Sequence, residues 1–129
     1  MQINSLTSLN FGKIYYKTQK KYTPTNNQLN TINNIKNSID TFNLSGIIDM
    51  LDSQGKDIFV ISKRNGAVEL QLREKNRAFN DEFHPGRRLL IKQFTTPESY
   101  KNDIPDANIQ EMFFDFIYYG CLKFCGYGL

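Results

Sequence analysis

Asp57-Ile58-Phe59-Val60-Ile61-Ser62-Lys63-Arg64-Asn65-Gly66-Ala67-Val68-Glu69-Leu70-Gln71-Leu72-Arg73 is the stretch on which the fold of this chain turns. Two runs rich in β-branched and alternating apolar residues flank Asn65-Gly66, and that pairing reads as a β-hairpin. Asn-Gly is the dipeptide that a two-residue type I′ turn prefers, because both central residues need positive φ. Such a turn sets Arg64 opposite Ala67, Ile61 opposite Leu70 and Phe59 opposite Leu72, so the apolar positions meet on one face. The other face then carries Ile58 and Val60 beside Ser62, Arg64, Glu69, Gln71 and Arg73, and is at most partly covered.

Upstream, residues 11–18 (Phe-Gly-Lys-Ile-Tyr-Tyr-Lys-Thr) read as a further strand. Pro24 and Thr25 lead into a helix, with the Thr25 hydroxyl placed to accept from one of its first free amides. Leu29, Ile32, Ile35, Ile39 and Phe42 recur at intervals of three and four, an apolar stripe of helical period. Leu44, Ile47, Ile48 and Leu51 continue the pattern past Asn43 and Gly46, which predicts two short helices or one kinked helix. A strand over 44–51 is the competing reading. Gly55 suits the left-handed position that closes a helix.

Downstream, residues 74–87 form a long polar connection through Pro85-Gly86. Arg88 to Phe94 reads as a strand, apolar on both sides through Leu89, Leu90 and Ile91, and therefore inside the sheet. Residues 95–105 read as loop, and a last helix starts near Asp106, with Ile109, Met112, Phe113, Phe116, Ile117 and Leu122 on a broad apolar face. That apolar run is shorter than the ~20 residues a membrane span requires and is broken by Glu111, Asp115 and Lys123. The expected fold is α+β: an antiparallel sheet of about four strands with two or three helices packed mainly on one face.

The chain has 129 residues, of which 40% are apolar, enough for one packed domain over 1–129. Its net charge is only +3, yet the charge is polarised. Residues 1–39 hold Lys13, Lys17, Lys20, Lys21 and Lys36 and no acid, whereas residues 96–129 hold five acids against Lys101 and Lys123. The polar start lacks a signal peptide's apolar run. The two cysteines, Cys121 and Cys125, are four apart, a spacing on one helix that suits a disulfide poorly. Together these features predict a cytoplasmic protein without a membrane span. The wealth of Asn, Lys, Ile, Tyr and Phe matches what AT-rich codons supply.

The groups able to do chemistry are few. His84 lies in Asn80-Asp81-Glu82-Phe83-His84-Pro85-Gly86-Arg87-Arg88, where an imidazole, two carboxylates and two guanidiniums are close in sequence. That loop is the one candidate for catalysis, on a phosphorylated or acidic substrate; a solvated loop with a Pro-Gly turn is the plainer account. Cys121 and Cys125 supply half of a metal site at most, and packed thiols are the plainer account. No glycine-rich phosphate loop, nucleophile elbow or zinc-protease motif occurs. No metal and no cofactor is expected.

The stretch Lys13 to Tyr22 interleaves Lys13, Lys17, Lys20 and Lys21 with Tyr15, Tyr16 and Tyr22. Lysines track phosphates and aromatic rings stack on bases, the combination that single-stranded nucleic acid takes. Arg64, Arg73, Lys75, Arg77, Arg87 and Arg88 extend the patch if the hairpin lies alongside. The alternative is that these lysines are the wet side of an edge strand, where they discourage aggregation. Another is that the acidic C-terminal region neutralises them.

The opening Ile3-Asn4-Ser5 followed by Asn10-Phe11-Gly12 resembles the start of small uncharacterised proteins that recur in AT-rich gut bacteria. The resemblance implies a bacterial origin and no particular activity. Taken together, the residues point first to a non-enzymatic binding or regulatory module whose partner is another protein or a second copy of itself. A nucleic-acid binder using Lys13, Tyr15, Lys17, Lys20, Lys21, Arg64, Arg87 and Arg88 is the second reading, and a small enzyme acting through His84 the third.

Overall fold

The computed structural model describes residues 14–76, 78, 83–94 and 106–125. Strand β1 (Ile14–Thr18) is followed by helices α1 (Asn26–Thr41) and α2 (Ser45–Ser53), strands β2 (Lys56–Ser62), β3 (Val68–Glu74) and β4 (Arg88–Phe94), and helix α3 (Asp106–Asp115). Beyond α3 the chain widens into a π-helical turn over Phe116–Cys121 and tightens into a 3-10 turn over Leu122–Cys125. The sheet order is β1-β2-β3-β4. It is mostly antiparallel, as expected, except that β1 runs parallel to β2. The parallel pair follows from what lies between: two helices return the chain to the same end of the sheet, which no hairpin could do.

The hairpin exists, but its turn differs from the expected one. Gly66 N–H bonds to Lys63 C=O at 3.0 Å and Lys63 N–H to Ala67 C=O at 2.9 Å, closing a three-residue loop. Only Gly66, at φ 90°, is left-handed there; Asn65 is not. This is a turn followed by a glycine bulge rather than a type I′ turn. Asn65 instead accepts the Ala67 N–H on its side-chain oxygen at 3.0 Å.

The one extra loop residue moves every pair. Val60 faces Leu70 and Ile58 faces Leu72, while Phe59 faces Gln71 and Ile61 faces Glu69. Ile58 and Val60, expected on the partly covered face, are therefore core residues, and Phe59 and Ile61 point the other way. The core joins Ile14, Ile58, Val60, Val68, Leu70 and Leu72 from the sheet to Ile35, Leu44, Ile48, Leu51, Ile109, Phe113 and Ile117 from the helices. Each of the large ones contributes roughly 1.5–3 kcal/mol by leaving water. All three helices thus lie on one face. None of them, among the described residues, is long and apolar enough to cross a membrane.

Residues 45–51 belong to helix α2 with Leu44 as its N-cap, so the stretch is helix rather than strand, and the break from α1 falls at Asn43, whose φ is 53°. Gly55, at φ 77°, follows α2 as expected. Thr25 caps α1 in a reciprocal box with Gln28. Helix α1 is, however, rotated from the expected stripe. Ile35 and Ile39 are buried as expected, but Leu29 is 46% exposed, and Gln28, Thr31, Asn34 and Ser38 are buried beside the stripe.

The cause is Gln28, which is fully buried and satisfies both ends of its amide. Its Oε1 accepts from Tyr22 Oη at 2.6 Å and Thr25 N at 2.9 Å. Its Nε2 donates to the carbonyls of Lys63 at 2.8 Å and Ala67 at 2.9 Å. The hairpin loop thereby fixes the start of α1.

Strand β4 is an edge, not an interior strand, and Ile91 is 40% exposed. Its apolar run is accommodated by a bulge. Leu90 faces Leu72 but Arg88 faces Arg73, which leaves Leu89 as the extra residue. Both leucines then pack against the core, and Arg88 turns to the opposite face.

Candidate binding face

The helix-free face of the sheet is built in three cross-strand rows. The register aligns Asp57, Arg73 and Arg88 in one row, Tyr15, Phe59, Gln71 and Ile91 in the next, and Lys17, Ile61, Glu69 and Gln93 in the third. An uncovered sheet face would leave such residues in water. Here Asp57, Phe59, Glu69 and Gln71 are all buried, so their polar atoms need partners.

They find them along β3. Glu69 accepts from Gln71 Nε2 and, at 3.0 Å, from Gln93 Nε2, with Lys63 Nζ 3.8 Å away. Gln71 Oε1 accepts from Arg73 Nε at 2.7 Å, and Arg73 Nη1 donates to the Gly86 carbonyl at 2.7 Å. Glu69, Gln71 and Arg73 are alternate residues of one strand, so their side chains stand in file and relay these bonds. Burial alone would raise the Glu69 carboxyl, but the bonds from Gln93 and Gln71, with the charges of Lys63 and Arg88, hold it below the ordinary carboxylate range. Burial, and then the neighbouring Arg88 charge, lower Arg73, and Glu69 partly offsets them.

An aromatic border adjoins the ladder. The rings of Tyr15 and Phe59 lie 5.1 Å apart, and the Arg73 guanidinium stands 5.9 Å from the Phe59 ring centre. Phe83, 73% exposed, brings the loop before β4 to β1, where Lys17 Nζ lies 4.6 Å from its ring centre. The loop is pinned at its far end by Gly86. A Cβ there would stand 2.1 Å from the Glu74 carbonyl oxygen, a contact only glycine avoids.

The residues singled out from the sequence are thus divided. Tyr15, Lys17, Arg73 and Arg88 share the helix-free face. Tyr16 points to the helices, where Lys36 Nζ lies 4.7 Å from its ring centre. Lys20 and Lys21 are exposed in the turn after β1. Arg64 lines an open recess of about 610 Å³ between the hairpin tip and the start of α1, with Tyr22, Thr25, Asn26, Asn27, Asn65 and Gly66. Arg87 is exposed and paired with Glu74 at 2.7 Å, and Lys75 sits between Asp52 at 2.6 Å and Asp57 at 2.7 Å. Lys13 and Arg77 lie outside the described residues.

His84 is exposed in the loop. Cys121 and Cys125 are buried, unbridged thiols. Burial, and then the adjacent Cys125, push the Cys121 thiol far above its ordinary range, a neutral state unsuited to nucleophilic attack. Among the described residues no three His, Cys, Asp or Glu side chains gather as a metal ion requires. Glu69, Gln71 and Gln93 were not foreseen as site residues; the alternation Glu-x-Gln-x-Arg in β3 was the available signal. No known protein family, curated protein or solved structure matches this chain.

Proposed function

We propose that the chain is a non-enzymatic binding module that meets a partner protein on the helix-free face of its sheet. The observation that carries this reading is the ladder from Lys63 through Glu69, Gln71 and Arg73 to Gly86. It holds polar side chains rigidly beside an exposed rim of Phe83, Arg88, Ile91 and Gln93. Preorganised polar groups bordered by aromatic, aliphatic and Arg side chains are what protein-recognition surfaces use, because little side-chain entropy is lost on docking.

The test is photo-crosslinking in the native host, with benzoylphenylalanine at position 91 or 93 and, as a control, at exposed position 49 of α2. A defined protein adduct from 91 and 93 and none from 49 is expected. The same adducts from 49, or none from the sheet face, would reject the reading. Because Tyr15, Lys17, Arg73 and Arg88 share this face, single-stranded nucleic acid is the second reading. Nucleic-acid adducts from position 91, with affinity falling steeply between about 50 and 200 mM salt, would favour it.

A further inference from the structure

We infer that Arg73 and Arg88 together form a seat for a phosphate-monoester dianion at the loop end of the helix-free face. The inference rests on that face being a binding surface, and it names the chemistry that the face recognises.

The starting point is an electrostatic conflict built into the register. Arg73 and Arg88 are direct cross-strand partners, and like charges in that relation are destabilising. The β4 bulge creates the juxtaposition: with Leu89 as the extra residue, Arg88 is turned away from the core and set against Arg73. Glu69 offsets it in part through its charge, but among the described residues no carboxylate forms an ion pair with either guanidinium. Asp57, the third member of the row, gives an oxygen to Lys75 at 2.7 Å. Glu74 is taken by Arg87. Glu69 lies two rows away and already accepts from Gln71 and Gln93 with Lys63 beside it. Among the described residues Arg88 makes no ion pair. Two guanidiniums thus stand side by side at this end of the face, with Asp57 in their row engaged by Lys75.

The two guanidiniums are also unequally prepared. Arg73 is held by Gln71 and by the Gly86 carbonyl, so its plane is fixed before any ligand arrives. Arg88 is exposed and able to close from the rim. A fixed guanidinium whose Nη2 is left to donate, beside an exposed one with its fork open, matches an oxyanion that accepts from both. A dianion presents charge to both guanidiniums at once. A polynucleotide would need cations in a track along the face, whereas Lys17 stands three strands away on β1 and Lys63 is beside Glu69.

The experiment titrates the full chain with phenyl phosphate, inorganic phosphate and a short phosphoserine peptide, read by thermal shift and calorimetry. The wild-type protein is expected to bind and to melt higher with each. Arg88→Gln is expected to weaken binding by about tenfold or more, the loss typical of one charge-assisted contact. It is also expected to melt higher than wild type in phosphate-free buffer, since it removes the like-charge contact, a gain that a purely structural arginine would not show. Arg87→Gln is expected to bind like wild type. Tighter binding of the peptide than of inorganic phosphate would place the group on a protein partner, and equal binding on a small phosphorylated molecule. Phosphate binding unaffected by Arg88→Gln, a lowered melting point of that variant, or preference for single-stranded RNA over all three probes would overturn the inference. Loss of phosphate binding alongside intact crosslinks from position 91 would reject the seat and leave the binding face standing.

Discussion

Replacing Gln28 by alanine tests whether the hairpin loop sets the position of α1. The substitution removes four hydrogen bonds, but the two carbonyls do not become orphans. Lys63 C=O keeps the Gly66 N–H and Ala67 C=O keeps the Lys63 N–H. The buried bond to Ala67 is worth about 1.5 kcal/mol and each of the three partly wet bonds about 0.5 kcal/mol, for a total near 3 kcal/mol. In a chain of this size that lowers the melting temperature by roughly 10 °C. Urea unfolding followed by far-UV circular dichroism gives the free energy directly.

Gln28→Glu sharpens the test. It keeps an acceptor for Tyr22 and Thr25 but aims a second oxygen at two carbonyls, so at neutral pH it should cost more than alanine. Its carboxyl would titrate above the ordinary value of about 4.3 in the folded state, so acidification through the raised value should restore stability. A loss below about 1 kcal/mol for both variants, with no pH dependence for the second, would mean that apolar packing alone places the helix.

Three further outcomes are expected. Gly66→Ala forces an L side chain to φ 90° and should cost about 1–2 kcal/mol, while Asn65→Ala, which loses one exposed-loop bond, should cost under about 1 kcal/mol; equal losses in denaturant melts would argue for the type I′ turn instead. Gly86→Ala should lower the urea midpoint, by about 1–3 kcal/mol of stability, because backbone must yield at Glu74; an unchanged midpoint would contradict that close approach. Burial alone would lower the Lys75 ammonium, but the bonds and charges of Asp52 and Asp57 outweigh it and hold the group above its ordinary value. The pair's contribution is therefore complete below about pH 10.4 and is lost as pH rises through the raised value. Lys75→Met should cost about 2–3 kcal/mol at pH 7, by removing the ammonium that pairs with buried Asp57, and should flatten the alkaline limb of a stability–pH curve.

Local chemistry was the legible part of this fold. Thr25 as cap, Asn43 as a break, and Gly55 as a stop are decisions made by residues near in sequence, whereas Gly46 lies within α2. What escaped was set by distant partners. The stripe through Leu29 is a sound helical period, but Gln28 is drawn inward by two carbonyls far along the chain. The Asn65-Gly66 pair announces a hairpin without saying whether one or two residues take positive φ, and that single difference exchanges the faces of β2. Arg73 and Arg88 were visible as basic residues, but their apposition depends on the bulge at Leu89, which two adjacent leucines conceal as an ordinary apolar run. The ladder was missed because Glu69 and Gln71 look like the wet side of a strand when the side chains of Arg73, Gln93 and Lys63 that satisfy them are not in view.

The parallel attachment of β1 divides the sheet in time as well as space. Strands β2 and β3 meet across a three-residue loop, whereas Ile14 must find Ile58 across both intervening helices. Closing the longer loop costs more entropy and comes after the hairpin has formed. An edge strand bound on one side is also the easier to release, since detaching it leaves the hairpin and the relay from Glu69 to Arg73 intact. The face therefore has one half built on the hairpin and its relay, and a border on β1, carrying Tyr15 and Lys17, whose backbone joins it through β2.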